Sequence, residues 1–334
     1  MPTSQRKTNS LITSVKFLLM AQGKGYKASA KEVGFTLIEL LVAIIMAALI
    51  IAPILGLMVN ILQTDRKEQA KAASEQELQS AADYIARDLQ QAVYIYDAQG
   101  LNEIKDELKP LPANHVPVLV FWKRKIIHNA ISEDLSSKCI TNCNDAFVYA
   151  LVAYYLVNDG GDNGTWSNAA RITRFEIQDG VRDADGIYVD PTDDKIGRDK
   201  GFVFKLTELQ GDTLRERMEN WENSGEAYTK SPLVLIDYID QSTAGNFPKE
   251  DCPADSDPTV DPEWQKVPSN PSTYSFYACV YSSKNTAKVF LRGNAYARIE
   301  NQDNQYKESR AAFYPTAKIE VTGSGGLTNT FSNN

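Results

Sequence analysis

"KEVGFTLIELLVAIIMAALIIAPILGLMVN", residues 31–60, decides how this chain is built. From Leu40 to Val59 it runs twenty residues without a charge. About 20 apolar residues are what a helix needs to cross the ~30 Å hydrocarbon core of a bilayer. One acid, Glu39, stands at the front of the run, where a carboxylate in lipid costs about 2.5–3.5 kcal/mol. Gly34 sits just ahead of it. A secretory signal core is usually about 7–15 residues and ends at a small-residue cleavage site. This run is longer and no such site is clear, so it reads as a segment that stays in the membrane.

Charge is divided around the run. Residues 1–34 carry six basic groups and one acid, while the whole chain has a net charge of −8, so the remainder holds −13. A basic head, an apolar run and an acidic body predict a single-pass protein with its N-terminus cytoplasmic and its body outside. An acidic body also argues against nucleic-acid binding, which needs a basic patch. The hydrophobic share of 43% and charged share of 23% are those of a folded chain.

Beyond the run, Leu78, Ala82, Ile85, Leu89, Ala92 and Tyr96 recur at steps of three and four, the helical period. One helix from about Phe35 to residue 95 is predicted, kinked or locally melted at Pro53, where an intrahelical hydrogen bond is lost. After Gly100 the pattern turns to short β runs: VPVLVFW, FVYALVAYYLV, ARITRFEI, GFVFKL, PLVLIDYI, YSFYACVYS, KVFLRGNAYARI and TAKIEVTG. Crossover helices between them are mostly missing, which favours an antiparallel sheet. Residues 206–224 suggest a short helix or an ordered insertion, and the proline-rich stretch 241–272 a long loop. The expected fold is α+β, a long N-terminal helix on an antiparallel sheet body. Its divisions are a basic leader at 1–34, a membrane helix at 35–62, an amphipathic continuation at 63–98, a β-rich head at 99–323 and a flexible tail at 324–334.

"KEVGFTLIELLVA" resembles the N-terminal signal of type IV prepilins and pseudopilins: a basic leader, a Gly, then Phe-Thr-Leu-Ile-Glu-Leu. The resemblance implies a pilin-like fold and cleavage by a prepilin peptidase after Gly34. It also implies methylation of the new amine on Phe35, and assembly with other pilins or pseudopilins on an inner-membrane platform. It gives Glu39 a role as well, pairing with the N-terminal ammonium of a neighbour, since a buried charge is tolerated when an opposite charge meets it. The competing reading is a protonated acid facing lipid.

"ADYIARDLQQAVYI", residues 82–95, resembles the matching segment of J-type minor pseudopilins and W-type minor pilins. "VFLRGNAYARI" and "FYPTAKIEVTG" are similar to the C-terminal part of pseudopilins of hormogonium polysaccharide secretion in filamentous cyanobacteria. That likeness implies a part in polysaccharide export and gliding motility, with the exported polysaccharide as a partner. The alternatives are a J-type minor pseudopilin of type II protein secretion, a W-type minor pilin, and, from another class, a signal-anchored carbohydrate-binding domain using Trp122, Trp166, Trp221 and Trp264 as sugar platforms.

Other constellations are sparse. The two histidines, His115 and His128, have no metal or nucleophile spacing, and no catalytic set is present, so an enzyme is not expected. Cys139, Cys143, Cys252 and Cys279 allow three disulfide pairings. Cys139–Cys143 and Cys252–Cys279 are favoured over a cysteine-only zinc site. Acids gather in the loops around Asp159, Asp162 and Asn163 and in "DGVRDADGIYVDPTDDK". Oxygen-rich loops suit calcium, which leaves Asp183, Asp185 and Asp190 as a candidate Ca²⁺ set. Val181 stands where the helix-loop-helix calcium pattern needs its first Asp, and solvated turns are the competing reading. No other cofactor is expected.

Overall fold

The computed structural model describes residues 34–108, 114–161, 164–204, 210–243, 247–254, 264–300 and 305–325. The predicted leader therefore lies outside the described residues, apart from Gly34. Helix α1 spans Leu37–Gln90 and runs unbroken through Pro53. The chain divides into two units, 1–62 and 63–334.

In the first unit every large apolar side chain from Phe35 to Leu62 is at least 49% exposed. This stretch is long and apolar enough to cross a membrane. In the second unit the helix buries one stripe: Ala70, Ser74, Leu78, Ala82, Ile85 and Leu89. These positions recur every three or four residues, so one face meets the sheet and the Glu, Gln and Lys side chains face water.

The helix ends five residues before the periodicity predicts. Ala92–Ile95 is strand β1, paired antiparallel with β2 through Tyr94↔Trp122 and Ile95↔Phe121. Ala92 and Tyr96 are buried as expected, but not on a helix. Val93, Tyr94 and Ile95 have side chains that fit a pleated surface, and the ladder to β2 outweighs continuation of the helix. The released carbonyls are met from afar. Ser324 donates to the Gln90 carbonyl through its N–H (3.0 Å) and its hydroxyl (2.6 Å), and the Asn285 amide donates to Ala92 (2.8 Å). Ser324 and Gly325, the first residues of the expected tail, donate their N–H groups here; residues 326–334 lie outside the described residues.

A short helix α2, Ala98–Ile104, follows, capped by the Asp97 carboxylate on the Gly100 N–H. The β runs then build two antiparallel sheets. The first has the order β1-β2-β3-β4-β5, with β2 His115–Ser132, β3 Cys143–Val157, β4 Ala170–Gln178 and β5 Leu233–Ile239. The second has the order β6-β7-β8-β9, with β6 Gln265–Val267, β7 Phe276–Tyr281, β8 Thr286–Arg292 and β9 Thr316–Thr322. Strand β6 lies inside the stretch expected to be all loop. The C-terminal end of β5 meets the second sheet, through Asp240 N–H to Arg292 (3.0 Å) and Asn294 N–H to Tyr238 (2.7 Å).

The run GFVFKL is not a strand in its described part, 201–204. Phe202 and Phe204 fill the core instead, 5.5 and 5.3 Å from the Trp122 ring. The expected short helix is α3, Leu214–Glu219, started by a reciprocal cap between Thr213 and Glu216.

Cys139 pairs with Cys143 and Cys252 with Cys279, at Cα separations of 5.3 and 5.5 Å. The second bridge ties the 247–254 segment to β7 across 27 positions of chain. Closing a loop of that length restricts the unfolded chain, typically worth about 2–4 kcal/mol. Replacing Cys252 and Cys279 together by Ala should lower the urea midpoint of the detergent-solubilised chain accordingly. The Cys139/Cys143 pair, closing only four positions, should matter less.

Candidate functional site

The N-terminal end of α1 is built by its own sequence. Thr36 precedes the first helical residue, and its hydroxyl accepts the Glu39 N–H at 3.3 Å. The same hydroxyl donates to the Glu39 carboxylate at 3.4 Å. A Thr followed three residues later by Glu satisfies otherwise free N–H groups of the first turn. A carboxylate there also favours the positive end of the helix dipole. Thr36 is a residue that the reading of the acid as a docking group passed over, although the Thr-x-x-Glu spacing announces it.

Gly34 has open space around it. A Cβ there would meet nothing within 4 Å among the described residues, and its φ is not in the left-handed region. The fold therefore does not require glycine at 34. Phe35 is 80% exposed, so among the described residues nothing engages either position.

The acidic loops hold themselves together. The Asp183 carboxylate accepts the N–H groups of Asp185 and Ile187, at 3.0 and 2.8 Å. Asp190 accepts the N–H and hydroxyl of Thr192. Asp193 accepts the N–H groups of Lys195 and Ile196 and pairs with Lys138, and the Lys138 hydrogen bond leads in holding its carboxyl at about 2. The turns thus use these oxygens as backbone acceptors. No group of three His, Cys, Asp or Glu side chains that could hold a metal occurs among the described residues. Asp162 and Asn163 lie outside them.

The proposed sugar platforms separate. Trp122 and Trp221 are buried at 1% and 3% exposure, 5.6 Å apart edge to face. The indole of Trp122 donates to Tyr96 and that of Trp221 to the Val203 carbonyl. They are core residues, because a large ring with one donor is satisfied there. Only Trp166 and Trp264 retain exposed surface.

A cluster that sequence reading missed lies where α1 crosses the first sheet. Asp88, on the helix, accepts from Lys123 of β2, Tyr154 of β3 and Arg174 of β4, each at 2.7 Å. Glu176 of β4 takes Lys123 at 2.9 Å and Lys125 at 2.6 Å, and also pairs with Arg174. Burial pushes the Asp88 carboxyl up, but the Arg174 hydrogen bond and the Lys123 charge overcome it, leaving it below the ordinary 3.8. For Glu176 burial is likewise outweighed, by Lys123, Arg174 and Lys125, and its carboxyl falls far below its ordinary range. Charges arranged this way fix a position; they do not present a reacting group to a substrate. A signal was available, since Asp88 falls three residues after Ile85, on the buried stripe of the helix.

No family model, curated protein or solved structure matches the chain.

Proposed function

We propose that the chain is a minor pilin-like subunit, a pseudopilin, of a type IV pilus-like or type II secretion-like filament. The observation that carries this reading is the bare apolar segment: twenty uncharged residues, Leu40–Val59, follow Gly34, Phe35 and Glu39 at the spacing of the prepilin signal. A peptidase reads Gly34, whose identity the fold itself leaves unexplained. The basic leader stays cytoplasmic, the apolar half of α1 sits in the inner membrane and then in the filament core, and the body lies outside. The two disulfides support an oxidising compartment. Export of a polysaccharide, with gliding motility, is the cargo role that the C-terminal likeness favours over protein secretion or a W-type pilin. The anchored sugar-binding rival loses two of its four platforms to the core.

Gly34→Val tests the processing step. A Cβ at this position meets nothing, so the variant should fold and insert as wild type does. It should nevertheless keep its leader, because the larger side chain blocks the peptidase. N-terminal sequencing of the wild-type mature protein should begin at Phe35; any other start removes the proposal.

A further inference from the structure

The outer face of the second sheet carries a pattern that a filament role does not use. Register places Tyr277, Phe290 and Lys318 opposite one another across three strands, and Lys266, Cys279, Lys288 and Glu320 across four. Residues directly opposite share a face of the sheet. Ala278, Val280 and Val289 point the other way, into the core. The outer face therefore mixes rings with ammonium groups. Lys249 and Lys266 each lie 5.2 Å from the Tyr274 ring, and Lys318 lies 5.4 Å from Phe290. Lys288 sits 5.1 Å from Trp264, and Lys284 sits 4.6 Å from Tyr281.

Five ammoniums over four rings stand on one face of a chain with a net charge of −8. Lys318, Lys266 and Lys288 have the carboxylates of Glu250, Asp251 and Glu320 as partners. Lys249 and Lys284 have no carboxylate partner among the described residues.

A cavity of about 130 Å³ opens on this face, lined by Lys249, Tyr274, Tyr277, Phe290, Arg292 and Lys318 among others. Arg292 is 2% exposed. Its Nε donates to Asp240 and its Nη1 to the Pro248 carbonyl, both at 2.7 Å, while Nη2 has no hydrogen-bond partner among the described residues. A buried donor left unmade is costly, and most such groups in folded chains are satisfied. The site thus offers a half-buried ring face and two ammoniums around a small space, with the buried Arg292 guanidinium in its lining.

The complementary ligand has a flat apolar face and a carboxylate. A neutral sugar would leave the cations without purpose. A nucleic acid carries one charge per about 1.7 Å of duplex, and Glu250, Asp251 and Glu320 on the same face oppose a charge that dense. Uronate groups on a polysaccharide are more widely spaced. We propose that this face binds an acidic polysaccharide, one uronate ring resting on Tyr274 with its carboxylate between Lys249, Lys318 and Arg292. The incoming carboxylate takes the place of Glu250 beside Lys318, and the rings of Trp264 and Tyr281 extend the track along the sheet. The inference goes beyond the filament reading and stands without it.

The test uses the full chain in lipid nanodiscs and calorimetric titration with three probes: oligogalacturonate, a neutral malto-oligosaccharide and a single-stranded oligothymidylate. Oligogalacturonate should bind saturably and weaken with salt, and the neutral sugar should bind roughly tenfold or more weakly. Lys249→Glu with Lys318→Glu should lower oligogalacturonate affinity roughly tenfold or more. Tyr274→Ala should lower it while Tyr274→Phe restores it. Lys249 is exposed, so Lys249→Glu alone, with an unchanged melting curve, keeps the test open if the double variant does not fold. No saturable binding, equal binding of the neutral sugar, or tighter binding of oligothymidylate would each overturn the proposal. Filament assembly is not read in this assay, so its failure leaves the proposed function untouched.

Discussion

Asp88→Ala is expected to be the most destabilising single change in the body of this protein. Three cations, Lys123, Lys125 and Arg174, share two carboxylates, Asp88 and Glu176. Removing Asp88 leaves three positive charges with one acid, and leaves the Tyr154 hydroxyl without its acceptor. Breaking a buried pair by deleting one partner costs about 3–5 kcal/mol, a large part of the ~5–15 kcal/mol that holds a typical domain folded. Lys123→Met should cost less, since Asp88 keeps Arg174 and Tyr154 while the surplus of positive charge falls. Urea unfolding of the two variants in the same detergent checks the order. Equal losses would mean that the cluster acts by packing and not by charge balance.

The same cluster sets the response to acid. The Asp88 and Glu176 carboxyls are both depressed in the folded state, from ordinary values of 3.8 and 4.5. Below those values the unfolded chain binds protons that the folded chain refuses. The stabilisation is therefore complete above about pH 5, and it is lost as pH falls through the ordinary carboxylate range toward the folded values. In Asp88→Ala this acid-dependent fall in stability should be shallower than in wild type.

Sequence periodicity located most of the frame because the forces it reports are local. The stripe Leu78, Ala82, Ile85 and Leu89 and the runs behind β3, β4, β5, β7 and β9 each carry their burial pattern within a few residues. Failures came where distant partners decide. The end of α1 is set by β2, which captures Ala92–Ile95, and by Ser324, more than 200 positions away. Phe202 and Phe204 look like strand residues but answer to Trp122. At Asp183–Asp194 spacing shows which oxygens are near, while the N–H groups they accept become visible only in the folded turns. Asp88 escaped notice because its partners lie on three strands that only the folded sheet brings together. The proposed signal at Gly34–Glu39 rests on spacing along one short segment, which is why it can be read without the fold.

Glu39→Ala should leave membrane insertion and leader removal intact and cut incorporation into the filament sharply. The apolar run is unchanged, so insertion has no reason to fail. What is lost is the acid that, in the proposed assembly, meets the ammonium on Phe35 of a neighbouring subunit away from water, where deleting one partner costs about 3–5 kcal/mol. A local explanation competes with this. The Glu39 carboxylate also accepts the Thr36 hydroxyl at the first turn, a contact worth about 0.5–1.5 kcal/mol, while the backbone N–H that Thr36 caps is kept in every variant. Glu39→Gln separates the two. Glutamine serves the capping pattern as well as glutamate does, so if the acid only finishes the helix, this variant should assemble like wild type. If the charge docks a neighbour, Glu39→Gln should fall between wild type and Glu39→Ala, because an acceptor remains but the attraction does not. Site-specific crosslinking between neighbouring subunits measures incorporation, and export should follow it downward. Wild-type crosslinking in Glu39→Ala would mean that the acid plays no part in assembly, and wild-type crosslinking in Glu39→Gln alone would assign it to the helix end.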